Sequence, residues 1–370
     1  MLTQIVINKK AIEHNLKQFK KLIGKDTLLM PVVKSNAYGH GMIEVAKICD
    51  LNSFVDRICV VNLDEAISLI NHGIKKPIMI LSFYELDATK IKIAIKRGVI
   101  FPVYLLDQIH FLNKISKSIG EKVKVHLKID TGATRIGVMP KEAFEFVQSI
   151  IYLKNLQLEG IWSHFASSED DFEYTKKQQG VFNKVVDELE KNDIYIPIKH
   201  LACSAATIFH KNSHYSAIRL GLSLYGLYPN EKSKKNIKLK PVLSLNTKVI
   251  QVKNIEPNTK IGYGGTYKTK KKTKIAILPV GYWDGLDRKL SNVGHVLIKG
   301  VRCPIRGRIC MNLMMVDASS VKKVVVGDSV TIIGKQGKRV ITIDELSKQI
   351  GTINYEVVDR INPLIPRQVV

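Results

Sequence analysis

From residue 28 to about residue 225, short apolar runs alternate with amphipathic stretches. The predicted strands are TLLMPVVK (27–34), ICVVN (58–62), PIMILSF (77–83), IFPVYL (100–105), VKVHLKID (123–130), LQLEGIWSHF (156–165), IPIKHLAC (196–203) and AIRLGLSL (217–224). Helical patterns such as LDEAISLINHG, KEAFEFVQSIIYL and the stretch from Asp171 to Asn192 lie between them. Strands that alternate with helices imply right-handed crossovers and a parallel sheet, and a count of eight predicts a closed (β/α)8 barrel. Ahead of them, MLTQIVINKKAIEHNLKQFKKLI reads as a short strand and then a helix, with Ile12, Leu16, Phe19 and Ile23 on one stripe.

The pattern changes after KSKKNIKLK (232–240). PVLSLNTKVIQVKNI, KIAILPVGYW, HVLIKGVRCPIRG and DSVTIIG alternate apolar and polar positions between Gly, Asn and Asp turns, which predicts an antiparallel β domain. One helix, TIDELSKQIG (342–351), opens with Thr342 as its expected N-cap. The expected organisation is a barrel over residues 1–235 and a β domain over residues 236–370, the first ten or so residues pairing with the latter. A chain of 370 residues, 45% of them hydrophobic, has room for both.

Composition narrows the picture further. The five cysteines, Cys49, Cys59, Cys203, Cys303 and Cys310, are scattered and form no CxxC pair, so neither a disulfide framework nor a cysteine-rich metal site is expected. The start of the chain lacks the form of a signal peptide, and no apolar run is long enough to cross a bilayer, so a cytoplasmic protein is expected. The formal net charge is +24. Its lysines are spread over most helices without the interleaved aromatics or the recognisable module of a nucleic-acid binder, so they read as solvated faces.

A barrel places its chemistry at the C-terminal ends of its strands. The groups there are Lys34 after the first strand, Arg135 after the fifth, His164 near the end of the sixth, Ser204 after the seventh, and Arg219 with Gly221 on the eighth. Lys34, in MPVVKSNAYGHG, has two readings. It snorkels to solvent from a buried strand, or it is a desolvated amine poised as a nucleophile that forms a Schiff base with an aldehyde. CSAAT (203–207) and RLGL (219–222) follow strands seven and eight, where barrels commonly bind phosphate.

Taken together, KSNAYGHG, HLKIDTGATRIGV, SHFASSED, HLACSAAT, IRLGLSLYG, YGGTY, VGYWDG and GRICMN resemble, in order and spacing, the bacterial alanine racemases, over essentially the whole chain. The resemblance implies that Lys34 carries pyridoxal 5′-phosphate. It implies that Tyr38, Ser204, Gly221 and Leu222 hold the phosphate, that His164 packs on the pyridine ring, and that Arg219 hydrogen-bonds the pyridine nitrogen. Because a guanidinium does not readily surrender its proton, that nitrogen should stay unprotonated, which restrains side reactions. Tyr263 matches the family's tyrosine base, given across a homodimer interface to the partner's Lys34. Racemisation needs an acid and a base on opposite faces, Lys34 for the D face and Tyr263 for the L face. A tyrosine acting at neutral pH needs cationic neighbours, for which His164 and Arg219 are expected. Arg135 and the Met311 amide are implied for the substrate carboxylate. Lys128 stands where some members carry a carbamylated lysine, and Tyr282 and Asn312 fall at the expected entrance. The implied activity is the interconversion of L- and D-alanine, with D-alanine supplied to peptidoglycan.

Read alone, His164 is an ordinary buried histidine and Tyr38 a strand-end aromatic, while His40, Tyr267 and Tyr282 point neither way. Three positions depart from the family pattern. Cys203 stands where asparagine commonly precedes the serine, Asn312 where aspartate is usual, and Pro363 where several members have a tyrosine that narrows the entrance. Those departures keep a broader racemase acting on serine or lysine among the expectations. A decarboxylase of the same cofactor fold type and a bare-barrel cofactor carrier also compete with the racemase.

Overall fold

The computed structural model describes residues 2–370. Its contacts divide the chain into two compact units: Ala11–Ser35 with Val45–Lys240, and Met1–Lys10 with Asn36–Glu44 and Pro241–Val370.

The first unit contains eight parallel strands: β1 (Leu28–Pro31), β2 (Ile58–Val60), β3 (Ile78–Ile80), β4 (Phe101–Val103), β5 (Val123–Lys128), β6 (Leu156–Trp162), β7 (Ile198–His200) and β8 (Ala217–Leu220). One sheet runs β1-β8-β7-β6-β5-β4, and β2 pairs with β3. Parallel bridges between Val32 and Cys59 and between Met79 and Ile100 join these sheets into a ring. This is the expected (β/α)8 barrel, with every strand where the apolar runs predicted it. Each strand stops short of the end of its apolar run, because the last residues turn into loops at the barrel mouth instead of continuing the ladder. The predicted helices form as Leu63–Asn71, Ala143–Ile151 and Phe172–Lys191, the last capped by Asp171, whose side chain accepts from the Tyr174 amide.

Helix Lys9–Ile23 buries the predicted stripe of Ile12, Leu16, Phe19 and Ile23. Each such side chain contributes about 1.5–3 kcal/mol by leaving water. Asn15, on the same face, is fully buried and bonds the carbonyls of Leu224 and Lys240 through Nδ2.

The second unit is mostly antiparallel. A seven-stranded sheet includes Leu243–Lys248 and Ser329–Gln336, and strand Gln4–Ile7 lies antiparallel to Leu243–Lys248 and parallel to Arg367–Val369. A three-stranded sheet joins Gln251–Ile255, Thr273–Leu278 and Met314–Asp317. The hairpin Lys260–Ile261/Tyr267–Lys268 presents the IGYGGTY loop. Thr342 caps helix Ile343–Ile350 as predicted, accepting from the Glu345 amide. All five cysteines are unpaired thiols. Among the described residues, no helix is long and apolar enough to cross a membrane.

Candidate active site

In the barrel unit, Lys34 is half-buried immediately beyond β1. The end of β1 is held from two sides: Tyr225 donates its hydroxyl to the Val32 carbonyl at 2.7 Å, and Glu65 accepts from the amides of Ser35 (2.7 Å) and Val61 (2.8 Å). The predicted polar turn after Lys34 takes an unusual form. Ser35, Asn36, Ala37 and Tyr38 all have φ between 52° and 54°, a turn of left-handed helix built without glycine. L-residues are disfavoured there by roughly 1–2 kcal/mol each, and such strain concentrates at functional segments.

Arg135 lies in the loop after β5, and Asp130 shapes that loop. One carboxylate oxygen of Asp130 accepts from the amides of Gly132, Ala133 and Thr134, and the other from Arg135. Burial alone would raise the pKa of Asp130, but these four donors outweigh it and hold the carboxyl below its usual value. Gly137 returns so close that a Cβ there would lie 2.6 Å from the Asp130 amide nitrogen.

Arg219, on β8, is only 3% exposed. Its Nη1 donates to His200 Nδ1 (2.7 Å) and the His200 carbonyl (3.2 Å). Its Nη2 donates to the carbonyls of Ser163 (2.8 Å) and Leu201 (3.0 Å) and to His164 Nδ1 (3.1 Å). Its Nε–H has no partner among the described residues. Burial draws the guanidinium down to about 10, which leaves it charged at neutral pH. His164 is driven well below the usual histidine range by burial and then by the charges of Arg219, Lys128, Arg135 and Lys34. The expectation of a cationic His164 is therefore corrected: this imidazole is neutral, and the positive charge beside it belongs to Arg219. Lys128 is 3% exposed with Nζ 4.3 Å from the centre of the Trp162 ring, and burial pushes its amine far below the usual lysine value.

Ser204 begins helix Ser204–Phe209, and its Oγ accepts from the amides of Gly221 (3.1 Å) and Ser223 (3.3 Å), leaving its own hydrogen to donate. Leu222 follows Gly221 in the short 3-10 turn Leu222–Tyr225 and is buried. Cys203, where the family pattern has asparagine, meets Ser168 Oγ at 3.3 Å. The barrel mouth thus gathers Lys34, Lys128, Arg135, His164, Ser204, Arg219 and Gly221. The donor set fits a phosphorylated aromatic ring. Ser204 has a free O–H, and Arg219 has one spare N–H that can only donate, which suits a ring-nitrogen acceptor.

In the other unit, Tyr263 is 72% exposed at the tip of its glycine-rich hairpin, with positive φ at Gly262, Gly264 and Gly265. The amides of Tyr282 and Trp283 donate to the carbonyls of Cys310 and Met311 (both 3.0 Å), tying the GYWDG and GRICMN loops together. Tyr282, Met311 and Asn312 are exposed. Gly281 permits this contact, since a Cβ there would sit 2.2 Å from the Cys310 carbonyl oxygen. Tyr38 stands 6.0 Å from the ring of Tyr355. Of the positions that pointed neither way, His40 is fully buried with Nδ1 2.8 Å from the Tyr38 carbonyl, and burial lowers it to about 4. Tyr267 is covered by the Arg306 guanidinium at 4.6 Å.

Sequence reasoning passed over Asp130, Glu65, Glu159, His126, His200 and Trp162. One signal was available: Lys124, His126 and Lys128 recur at period two in an otherwise apolar strand, so they share a face.

Proteins of known family share this architecture. The alanine racemase N-terminal domain family matches residues 7–229 and the C-terminal domain family residues 242–369. An alanine racemase of Methanococcus maripaludis is 42% identical, aligned over 98% of this chain and 96% of its own. One from Halothermothrix orenii is 40% identical over 98% and 95%. The solved alanine racemase of Clostridium difficile 630 superposes with a TM-score of 0.92 at 37% identity, covering 100% of this chain and 96% of its own. That of Bacillus anthracis with bound L-Ala-P gives 0.92 at 34% identity over 100% and 95%. On its sequence, its two domains and its fold, this chain belongs to the alanine racemase family of isomerases.

Proposed function

We propose that the chain is a cytoplasmic, homodimeric, pyridoxal-phosphate-dependent enzyme that interconverts L- and D-alanine by two bases and supplies D-alanine for peptidoglycan. The observation that carries this reading is the collection of Lys34, Arg135 and Arg219 around a neutral His164. Such a mouth attracts a phosphate and a substrate carboxylate. The solved Bacillus anthracis relative with bound L-Ala-P supports a small-molecule ligand for this fold.

In this reading Lys34 carries the cofactor. Tyr38, Ser204, Gly221 and Leu222 hold the phosphate, His164 lies on the ring, and the Nε–H of Arg219 meets the ring nitrogen. When bound, pyridoxal phosphate supplies an electron sink that acidifies the Cα–H of an amino acid. Arg135 and the Met311 amide orient the substrate carboxylate. Tyr282 and Asn312 line the entrance. Lys34 Nζ takes or returns the proton on the D face, and the hydroxyl of Tyr263 of the partner subunit does so on the L face. The exposure of Tyr263 at a loop tip suits a group that is used by another subunit. Lys128, held as a neutral amine, is a competent nucleophile for carbon dioxide, so a carbamate there is part of the proposal.

A chiral assay of alanine with purified protein, with and without added pyridoxal phosphate, tests the reading. The expected result is cofactor-dependent racemisation, abolished in Lys34→Ala and reduced at least a thousandfold in Tyr263→Phe with cofactor absorbance retained. Growth of a D-alanine-requiring bacterium tests the physiological product. A cofactor-loaded protein that leaves L-alanine unchanged would refute the activity.

A further inference from the structure

The barrel interior contains a continuous polar chain that the reaction as described does not use. His200 Nε2 stands 2.9 Å from His126 Nδ1, and His126 Nε2 stands 3.0 Å from Glu159 Oε2. Glu159 Oε2 also accepts from Arg57 Nη1 at 2.6 Å, and Oε1 from Lys124 Nζ at 2.9 Å. His126 and His200 are fully buried, and Glu159 is nearly so.

The direction of this chain is forced. A guanidinium only donates, so His200 Nδ1, facing Arg219 Nη1 at 2.7 Å, must be a lone pair. A neutral His200 then has its hydrogen on Nε2 and gives it to His126 Nδ1. His126 in turn has its hydrogen on Nε2 and gives it to the Glu159 carboxylate. Reversing either ring would set two donors or two lone pairs face to face. Arg57 Nη1 also lies 3.4 Å from His126 Nε2, but that nitrogen carries a hydrogen in this assignment and does not accept.

The surroundings are built to keep it so. The Trp162 indole stacks on the His200 ring at 5.4 Å and 6°. Gly160 pairs with His126 across β5 and β6, and a Cβ at Gly160 would fall 2.4 Å from His126 Nδ1 and Cε1. The missing side chain is therefore the space the imidazole occupies. Burial lowers both histidines. Burial alone would raise Glu159, but hydrogen bonds from His126, Arg57 and Lys124 outweigh it and keep the carboxylate ionised.

We infer that Glu159 is a positioning residue for the reaction, acting through His126 and His200 to fix the rotation of Arg219 so that only its Nε–H remains for a ligand. The inference rests on the function proposed above, in which Arg219 meets the ring nitrogen. Without the carboxylate, both imidazoles can exchange tautomers, and Arg219 then meets an N–H at His200 and swings away.

The test uses the pyridoxal-phosphate-loaded protein labelled with [15N]histidine. In the wild type, His126 and His200 should each show one protonated and one bare ring nitrogen, with Nε2 protonated, unchanged from pH 5.5 to 8.5. In Glu159→Gln, the two rings should show mixed tautomers, and the absorption band of the bound cofactor should become pH-dependent. The kcat should fall about tenfold to a hundredfold, with KM for alanine within threefold of the wild type. An imidazolium or an Nδ1–H form in the wild type overturns the inference, and that spectrum needs no variant to fold. A Glu159→Gln protein with wild-type kcat and unaltered tautomers overturns it as well. A wild type that holds no cofactor or does not racemise alanine would count against the function, while its tautomer spectrum would still judge the relay.

Discussion

Lys128 holds its Nζ 4.3 Å from the centre of the Trp162 ring, and among the described residues that amine makes no hydrogen bond or ion pair. Burial, then the charges of Arg219 and Arg135, lowers its pKa far more than Asp130 raises it. Between that depressed value and the usual lysine value, the unfolded chain binds a proton that the folded chain does not. Stability therefore rises with pH across this window. Lys128→Met removes the penalty and should stabilise the fold by about 1–4 kcal/mol at pH 7. Its advantage should shrink as pH climbs toward the lysine range. Thermal melts at pH 6, 8 and 10 in buffer depleted of carbon dioxide check this, and a gap that does not change with pH would refute it.

Asp130 organises the Arg135 loop through four backbone amides. Asp130→Ala should raise KM for alanine about tenfold to a hundredfold, the range seen when a supporting hydrogen-bond partner is lost, and should change kcat less. Because the folded carboxyl titrates below its usual value, the anchor is fully present above the unfolded carboxylate pKa. It is lost only as pH falls through the lower folded one. The wild-type KM should therefore stay flat from neutrality down to about pH 5. Steady-state kinetics over that range would expose a loop that does not need the carboxylate.

The barrel was legible because each strand is a short apolar run separated from the next by an amphipathic period, and Lys34, Arg135, Ser204 and Arg219 fall where those runs end. What supports them was not legible. Glu159 lies on β6 and His126 on β5, and they meet only through strand register. The Gly160 vacancy looks in sequence like any strand glycine. The neutral state of His164 likewise depends on burial and on charges that distant stretches of the chain bring beside it. Local pattern fixes elements, whereas protonation is a property of what those elements bring together.

Ala37 is fully buried with φ of 52° in the left-handed turn after Lys34. Glycine at this position escapes roughly 1–2 kcal/mol of steric cost. Against this stand about 0.4–1 kcal/mol of unfolded-chain entropy and about 0.8 kcal/mol for the lost methyl burial. Ala37→Gly should therefore shift Tm by no more than about 2 °C, given the usual scaling for large domains. In a right-handed helix the same change costs about 1 kcal/mol. Ala37→Val, which adds a β-branched side chain to the same left-handed backbone, should lose several degrees. Calorimetry of the two variants side by side checks this, and equal losses in both would contradict the strain account.

Pro363 is exposed, and its carbonyl accepts from Arg367 Nη1 at 2.8 Å. The same guanidinium group bonds the Asn362 carbonyl (2.9 Å) and the Gly39 carbonyl (2.9 Å), so this terminal loop is held by its backbone and not by the side chain at 363. Where the family resemblance leads to the expectation of a tyrosine, a proline brings neither a hydroxyl nor an N–H. In the function proposed above, an entrance without that hydroxyl should admit L-serine alongside L-alanine. A side chain that recloses it is worth about 1 kcal/mol of discrimination, roughly fivefold. Pro363→Tyr should lower kcat/KM for serine about fivefold and leave alanine within twofold. Parallel chiral assays of both substrates decide the matter. A wild type already strict for alanine, or a variant in which the two substrates fall together, would show that Pro363 does not set the entrance.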